Sequence, residues 1–424
     1  MKKCFFGAIA VLALASCSNE KVVELSQDQE IKFTATAGKA LSRAADGYCN
    51  KSLPDNFQVW ARHKAESAST YTSYFAGEQY NKPESGNEYT QNDGIKRYWP
   101  QSGSLDFFAI VNGQGAPTWK VNPTSPEGAL TVSNYQVEAT PGAQKDFMYA
   151  VTPGQTTKTA TTLNFRHALS QIEFQAKNQN SKIYVKVTGV KVMNVKDKGT
   201  FALPVASTAN AYVGTPTEGD GKHTTLPGNT TIVNQGKWSD KSGAVQYAIT
   251  TLKADATEIN DGNKEVKEVP GNNTAVSLTV TDPANQEYNP NTLYVLPQSF
   301  GEGEGNTPLW NGTDALMNEG KTAYQTTTGA YLILTCQIFN VAGASYVDGT
   351  DIAVWGENGA KDIAVKLPNT EWEQGKRYVY TFTFTESGNG GYDPGDNKPV
   401  LTPITLQVDV DDFVDFGNKD VTME

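Results

Sequence analysis

Ile404-Thr405-Leu406-Gln407-Val408-Asp409-Val410, near the end of the chain, alternates apolar and polar side chains without a break. A period of two puts Ile404, Leu406, Val408 and Val410 on one face of an extended strand, with Thr405, Gln407 and Asp409 on the other. The same pattern recurs outward from it. Tyr378-Val379-Tyr380-Thr381-Phe382-Thr383-Phe384 is built wholly of β-branched and aromatic residues. Ile183-Tyr184-Val185-Lys186-Val187 alternates and stops at Gly189; residues 190–195 follow, and Lys198-Gly199 predicts a turn. Residues 31–36, 57–61, 161–165, 172–176, 275–280, 292–296, 331–339 and 362–365 also read as strands. Residues 105–111 form an apolar stretch after a turn at Gln101-Ser102-Gly103, which predicts a strand buried on both faces. The middle, residues 204–273, is polar and rich in Gly, Thr and Asn, and predicts long loops with short strands such as 245–250. Residues 388–397 read as a glycine-rich turn, and no amphipathic helix longer than about ten residues is discernible. The expectation is an all-β protein of β-sandwiches.

Composition agrees. The 424 residues include 38 Gly and 20 Pro, and 19% are charged. This length fits more than one domain. Two sandwiches are expected, residues 31–168 and 169–424, with the boundary between the strand runs at Arg166 to Ser170. The net charge of −11 disfavours a nucleic-acid partner, since phosphate binding needs a basic face.

The first residues carry a different signal. Met1-Lys2-Lys3 is a short positive start, an apolar run follows, and the run ends in Leu14-Ala15-Ser16-Cys17. A basic start, an apolar core and small residues at the cut make a secretory signal over residues 1–16. The run is too short to span a bilayer, which takes roughly 20 apolar residues. Leu14-Ala15-Ser16-Cys17 resembles the bacterial lipobox. That resemblance implies that Cys17 is lipidated, with diacylglycerol on sulfur and an acyl group such as palmitate on its amine. Each buried methylene adds about 0.8 kcal/mol, so more than one chain anchors stably. Residues 17–30 read as a hydrophilic tether without periodicity.

Candidate chemistry is sparse. No G-x-S-x-G, H-E-x-x-H, Walker or dinucleotide fingerprint is present, so neither an enzyme nor a cofactor is expected. His63, His167 and His223 are scattered without metal-ligand spacing, and His167, between two strands, reads as structural. Asp409, Asp411, Asp412 and Asp415 match no EF-hand loop, and the expectation is no metal site. Asp393-Pro394-Gly395-Asp396 reads as a turn. The 7 Trp and 19 Tyr read mainly as core and strand residues, Trp60, Trp99 and Trp372 among them, with a glycan-binding surface left open. Cys4 falls in the signal, leaving Cys49 and Cys336 in the body; two buried thiols are expected rather than a disulfide.

Several local blocks, taken together, resemble the Bacteroidetes fimbrillins. Arg97-Tyr98-Trp99-Pro100 with Gly103 and Leu105-Asp106-Phe107-Phe108-Ala109 resembles their W-P-x-x-G-x-L-x-F-x-A block. Asp146-Phe147-Met148-Tyr149-Ala150 is similar to D-L-M-Y-A, and Phe165-Arg166-His167-Ala168-Leu169-Ser170-Gln171-Ile172 to F-x-H-A-L-S-Q-I. Leu296-Pro297-Gln298 matches L-P-Q, and Trp372, Gly375 and residues 378–384 resemble W-x-x-G-x-x-Y-x-Y-x-F. Residues 403–413 resemble a final strand that usually ends in V-x-x-W, with Phe413 in place of the Trp. Glu20, close to Cys17, is similar to a surface-export signal of lipoproteins from the same bacteria.

The resemblance implies two transthyretin-like, Greek-key β-sandwich domains and a fimbrial (pilus) subunit that contributes to adhesion. It implies travel as a lipoprotein to the outer membrane, then an Arg-directed cut that removes the first strand. The groove so vacated would accept a strand from the next subunit, head to tail. In this chain residues 31–36 would be the removable strand, and Arg43, before Ala44, the cut; Lys39 lacks the Arg side chain. Ile404, Leu406, Val408 and Val410 would be the donated face. The partners so implied are other fimbrial subunits and, before processing, the membrane, with host or bacterial surface ligands open. The alternative is a tip adhesin, anchor or glycan-binding surface lipoprotein that keeps its first strand and does not polymerise.

Overall fold

A computed structural model describes residues 25–37, 54–113, 119–120, 130–156, 158–204, 235–256, 258–280, 291–316, 329–368, 371–387, 390–396 and 398–412. Among these the protein is all-β, with one 3-10 turn at Pro141–Ala143 and no α-helix. The strands stack into sandwich-like layers.

The N-terminal sheet has seven strands, in the order Phe33–Ala37, Thr161–His167, Met148–Gln155, Ser104–Val111, Asn56–Lys64, Thr72–Asn81 and Thr90–Gln91. Ser104–Val111 lies at its centre, antiparallel to both neighbours. Its side chains serve two cores. Leu105, Phe107, Ala109 and Val111 pack with Ile31, Phe33, Phe57 and Phe165, whereas Phe108 and Ile110 pack into the larger core shared with the second half of the chain. This is why the stretch reads as apolar rather than alternating: both faces of the sheet are covered. The turn before it needs Gly103, whose φ is +84° and whose missing Cβ would fall 2.3 Å from the Lys64 carbonyl oxygen.

On the second face, at the one polar position of that stretch, Asp106 Oδ2 accepts from Arg62 Nε at 2.9 Å, and Arg62 is wholly buried. Asp106 Oδ1 accepts the Gly154 N–H at 2.7 Å, and the Arg62 guanidinium lies 3.9 Å from the Tyr71 ring centroid. The charge is buried but fully engaged.

The second half forms a twelve-stranded sheet, with Val245–Thr250, Ile183–Val195, Tyr331–Asn340, Lys361–Val365, Gly390–Asp393, Lys398–Asp412, Lys376–Phe384, Ser170–Asn178 and Ala275–Ser277 along its path. A four-stranded sheet joins Trp119–Lys120 and Thr131–Gln136 to Lys198–Ala202 and Lys237–Ser242, so strands from either side of residue 168 share it.

Several readings change. Gly390–Asp393, inside the stretch read as a glycine-rich turn, is a strand that pairs with Lys361–Val365 and Lys398–Asp412. Lys198-Gly199, read as a turn, opens the strand Lys198–Ala202. Ile183–Val195 does not stop at Gly189 but runs through it as one strand, with a register shift between Val187 and Gly189. A Cβ there would stand 2.7 Å from the Ile249 carbonyl oxygen, so the glycine permits close strand approach rather than ending the strand. Leu25–Glu30, the end of the segment read as a tether, is a strand, pairing with Tyr98–Pro100 between Leu25↔Pro100 and Glu30↔Tyr98. Leu-Ser-Gln-Asp-Gln-Glu carries no alternation that would have marked it as a strand, and the pairing itself is made by backbone groups.

Candidate functional site: the groove filled by the first strand

Ile31, Phe33 and Ala35 point inward and are 2%, 0% and 8% exposed. Lys32 and Thr34 point outward: Lys32 Nζ meets Glu88 Oε2 at 2.8 Å, and the Thr34 and Thr162 hydroxyls are 2.9 Å apart. The Phe33 ring is edge-on to Tyr80 at 4.8 Å and to Phe107 at 5.0 Å between centroids. Burying side chains of this size stabilises by about 1.5–3 kcal/mol each. The segment therefore fills the sandwich rather than lying on it.

Its backbone is held on both sides. Phe33–Ala37 runs parallel to Thr161–His167, from Phe33↔Thr161 to Ala37↔Phe165, and the Thr161 N–H donates to the Lys32 carbonyl at 2.8 Å. Across the other edge the Tyr89 N–H donates to the Phe33 carbonyl at 2.8 Å, and the Ile31 N–H donates to the Arg97 carbonyl at 2.7 Å. The outer rim is ionic: Glu30 accepts from Lys96 at 3.0 Å. The Glu88 carboxylate accepting from Lys32, and its charge, raise the Lys32 pKa. Such exposed pairs contribute little; packing and backbone bonds hold the strand. A cleft of about 550 Å³ flanks it, between residues 30–32 and 83–97.

The last strand, Lys398–Asp412, is the other half of the candidate site. Ile404 is 5% exposed, Leu406 and Val408 are half-buried, and Val410 is 49% exposed. From Phe384↔Ile404 to Lys376↔Asp412 the strand is antiparallel to Lys376–Phe384. Its opposite edge pairs with Gly390–Asp393 as far as Pro403; beyond that no strand covers it among the described residues. Beside it lies a groove of about 1670 Å³ lined by Leu309, Trp310, Leu367, Val400, Ile404 and Leu406.

Cys17, Arg43, Ala44 and Cys49 lie outside the described residues, as do residues 1–16, Phe413 and Asp415. His167 Nδ1 lies 2.5 Å from Asp146 Oδ2, and His63 Nε2 lies 2.9 Å from the Ser102 carbonyl oxygen. Gly395 N–H donates to Asp393 Oδ1 at 2.9 Å, the turn expected of Asp-Pro-Gly-Asp. Trp60, Trp99 and Trp372 are core residues. Cys336 is buried with a free thiol, and burial pushes its pKa up.

One cluster escaped the sequence reading. Tyr184 and Tyr346 stack at 4.2 Å and 8°, Phe339 lies 5.0 Å from Tyr346, and Lys186 Nζ sits 4.9 Å from the Tyr346 centroid. Only Tyr184 and Lys186, two apart on one strand, give a local hint; Tyr346 arrives from a loop 162 residues away by the same route that pairs Asp348 with Lys186.

The sequence pattern of the fimbrillin-like family matches residues 42–395. The chain belongs to that family. The remainder of this fimbrillin-like chain's kinship is distant. A fimbrial protein from Bacteroides vulgatus ATCC 8482 is 14% identical, with 91% of this chain and all of that one covered and a TM-score of 0.49. A protein from Bacteroides ovatus ATCC 8483 described as a cell adhesion protein is 13% identical, with 91% and 98% covered and a TM-score of 0.42. No curated protein matches. Family membership supports a fimbrial or adhesive, structural role at the cell surface.

Proposed function

We propose that this fimbrillin-like chain is a structural subunit of a cell-surface fimbria, exported as a lipoprotein through Cys17 and assembled by strand exchange. Residues 1–16 are the signal, residues 17 onward lead to the first strand, and residues 31–168 and 169–424 make two sandwiches. The observation that carries this reading is the lodging of Ile31, Phe33 and Ala35 in the N-terminal core by residues 31–37, which follow Leu25–Glu30 and connect forward through Arg43. A cut between Arg43 and Ala44 frees that strand from the rest covalently. Its loss opens a groove with two unpaired edges and an apolar floor, which is a template for a strand from another subunit. Ile404, Leu406, Val408 and Val410 are the face proposed to fill it, and head-to-tail repetition gives a filament. The test is intact mass and N-terminal sequencing of protein shed from native cells, with denaturing electrophoresis of unheated samples. Polymerisation predicts a chain starting at Ala44 that runs as a ladder.

A second reading rests on the aromatic cluster of Tyr184, Phe339 and Tyr346 on one outer face, with Lys186 beside it. Together with a last strand already paired along Lys376–Phe384, it favours a tip, anchor or glycan-binding subunit that keeps its strands. Such a subunit would remain monomeric on the same gel.

A further inference from the structure

The chain has five arginines, Arg43, Arg62, Arg97, Arg166 and Arg377. Arg62 is wholly buried within Asn56–Lys64. Arg166 and Arg377 lie in strands paired with Tyr149 and with Gln171 and Asp411. Among the described residues, Arg97 is the arginine outside a strand, at the end of an irregular segment in which Ile95 is 51% exposed. Its own side chain is 37% exposed while it donates through Nε to Glu78 Oε1 at 2.7 Å.

A protease that cuts after arginine must bind the arginine in extended form and polarise its carbonyl oxygen with its own N–H donors. At Arg97 that oxygen already accepts the Ile31 N–H at 2.7 Å. Lys96, one residue before, is tied to Glu30 at 3.0 Å, and Tyr98, one residue after, pairs with Glu30 in the sheet. Every one of these ties comes from the first strand or the residue leading into it. With that segment in place, the Arg97–Tyr98 bond is reachable by its side chain but masked at its carbonyl. With the segment gone, nothing described in the fold occupies that oxygen.

We infer that the first strand shields a second Arg-directed cleavage site, the Arg97–Tyr98 bond. A subunit whose groove stays empty is cut there, and a subunit whose groove is filled is spared. Hydrolysis adds one water across the amide, leaving a carboxylate on Arg97 and an amine on Tyr98. It severs the chain one residue before Trp99, which is 2% exposed in the core and packs 5.8 Å from Phe107. Cleavage would therefore remove unfilled subunits rather than merely nick them. The inference rests on the proposed Arg-directed processing and adds a safeguard to it: the same protease that empties the groove tests whether it has been refilled.

The experiment follows digestion of the folded full-length chain by an arginine-specific endoprotease, read by intact mass. Wild-type protein is expected to lose the Arg43–Ala44 bond first and to resist at Arg97–Tyr98 while the first strand stays lodged. Phe33→Ala, which loosens the strand, is expected to raise the rate of the Arg97 cut about tenfold or more, because the site opens locally. A synthetic peptide of residues 29–37 is expected to suppress that cut. Equal Arg97 cleavage in wild type and Phe33→Ala, unaffected by the peptide, would overturn the inference, as would survival of Arg97–Tyr98 after the strand has left. If Phe33→Ala does not fold, wild-type protein cut at Arg43 and diluted until the fragment dissociates provides the same comparison. Resistance of Arg43–Ala44 in wild type would sink the processing reading instead; Arg43→Lys combined with Phe33→Ala then still decides the shielding.

Discussion

The ring of Phe33 stands edge-on to Tyr80, with centroids 4.8 Å apart and planes at 89°. Tyr80 belongs to the body of the N-terminal sheet and Phe33 to the strand that reaches it from the chain's beginning. The contact ties the protein's stability to the segment that processing is proposed to remove.

Phe33→Ala should therefore cost about 3–5 kcal/mol, as for other buried large-to-small changes. Denaturant melts followed by tryptophan fluorescence would measure it. A change below about 0.5 kcal/mol, the range of a surface substitution, would show that the strand is not part of the core.

Asp106→Ala should destabilise by about 3–5 kcal/mol, since it leaves the buried Arg62 guanidinium without its carboxylate. Replacing both residues with apolar side chains should recover much of that loss. The comparison is a double-mutant cycle in urea. An additive cycle would contradict the pairing.

Alkali should unfold the protein from above about pH 10, the ordinary tyrosine range. Burial raises the pKa of Tyr135, Tyr247 and Tyr380 above their ordinary value of 10.0. The unfolded chain then releases those protons first, the native state binds more of them, and stability falls as pH rises. Absorbance at the phenolate band should show these tyrosines ionising together with unfolding, not before it. Cys336, whose thiol is likewise raised by burial, should resist alkylation in native protein and react once denaturant is added.

The architecture was legible where side chains alone report burial. Residues 105–111, 183–187 and 378–384 announce strands because their apolar spacing is the spacing of a covered sheet face. The first strand was legible for the same reason, through Ile31, Phe33 and Ala35. Leu25–Glu30 was not, because its pairing with Tyr98–Pro100 uses main-chain groups that every residue has. The Arg62–Asp106 pair was hidden by a separation of 44 positions, and the Ile31–Arg97 bond involves no side chain at all. Gly189 misled because a glycine that ends a strand and one that admits a neighbouring backbone look alike in sequence.

Val410→Lys separates folding from assembly. Val410 is 49% exposed, so the substitution should change stability by no more than about 0.5 kcal/mol. On the strand-donation account it should nonetheless shorten or abolish the ladder, because it places a charge on the donated face. Unchanged polymerisation would remove Val410 from that face.

The most direct test is the mature N-terminus of the protein shed from native cells, determined together with its migration on an unheated denaturing gel. The account predicts a chain beginning at Ala44 and running as a detergent-resistant ladder. A chain beginning at acylated Cys17 and migrating solely as a monomer would contradict it and leave an anchored binding lipoprotein in its place.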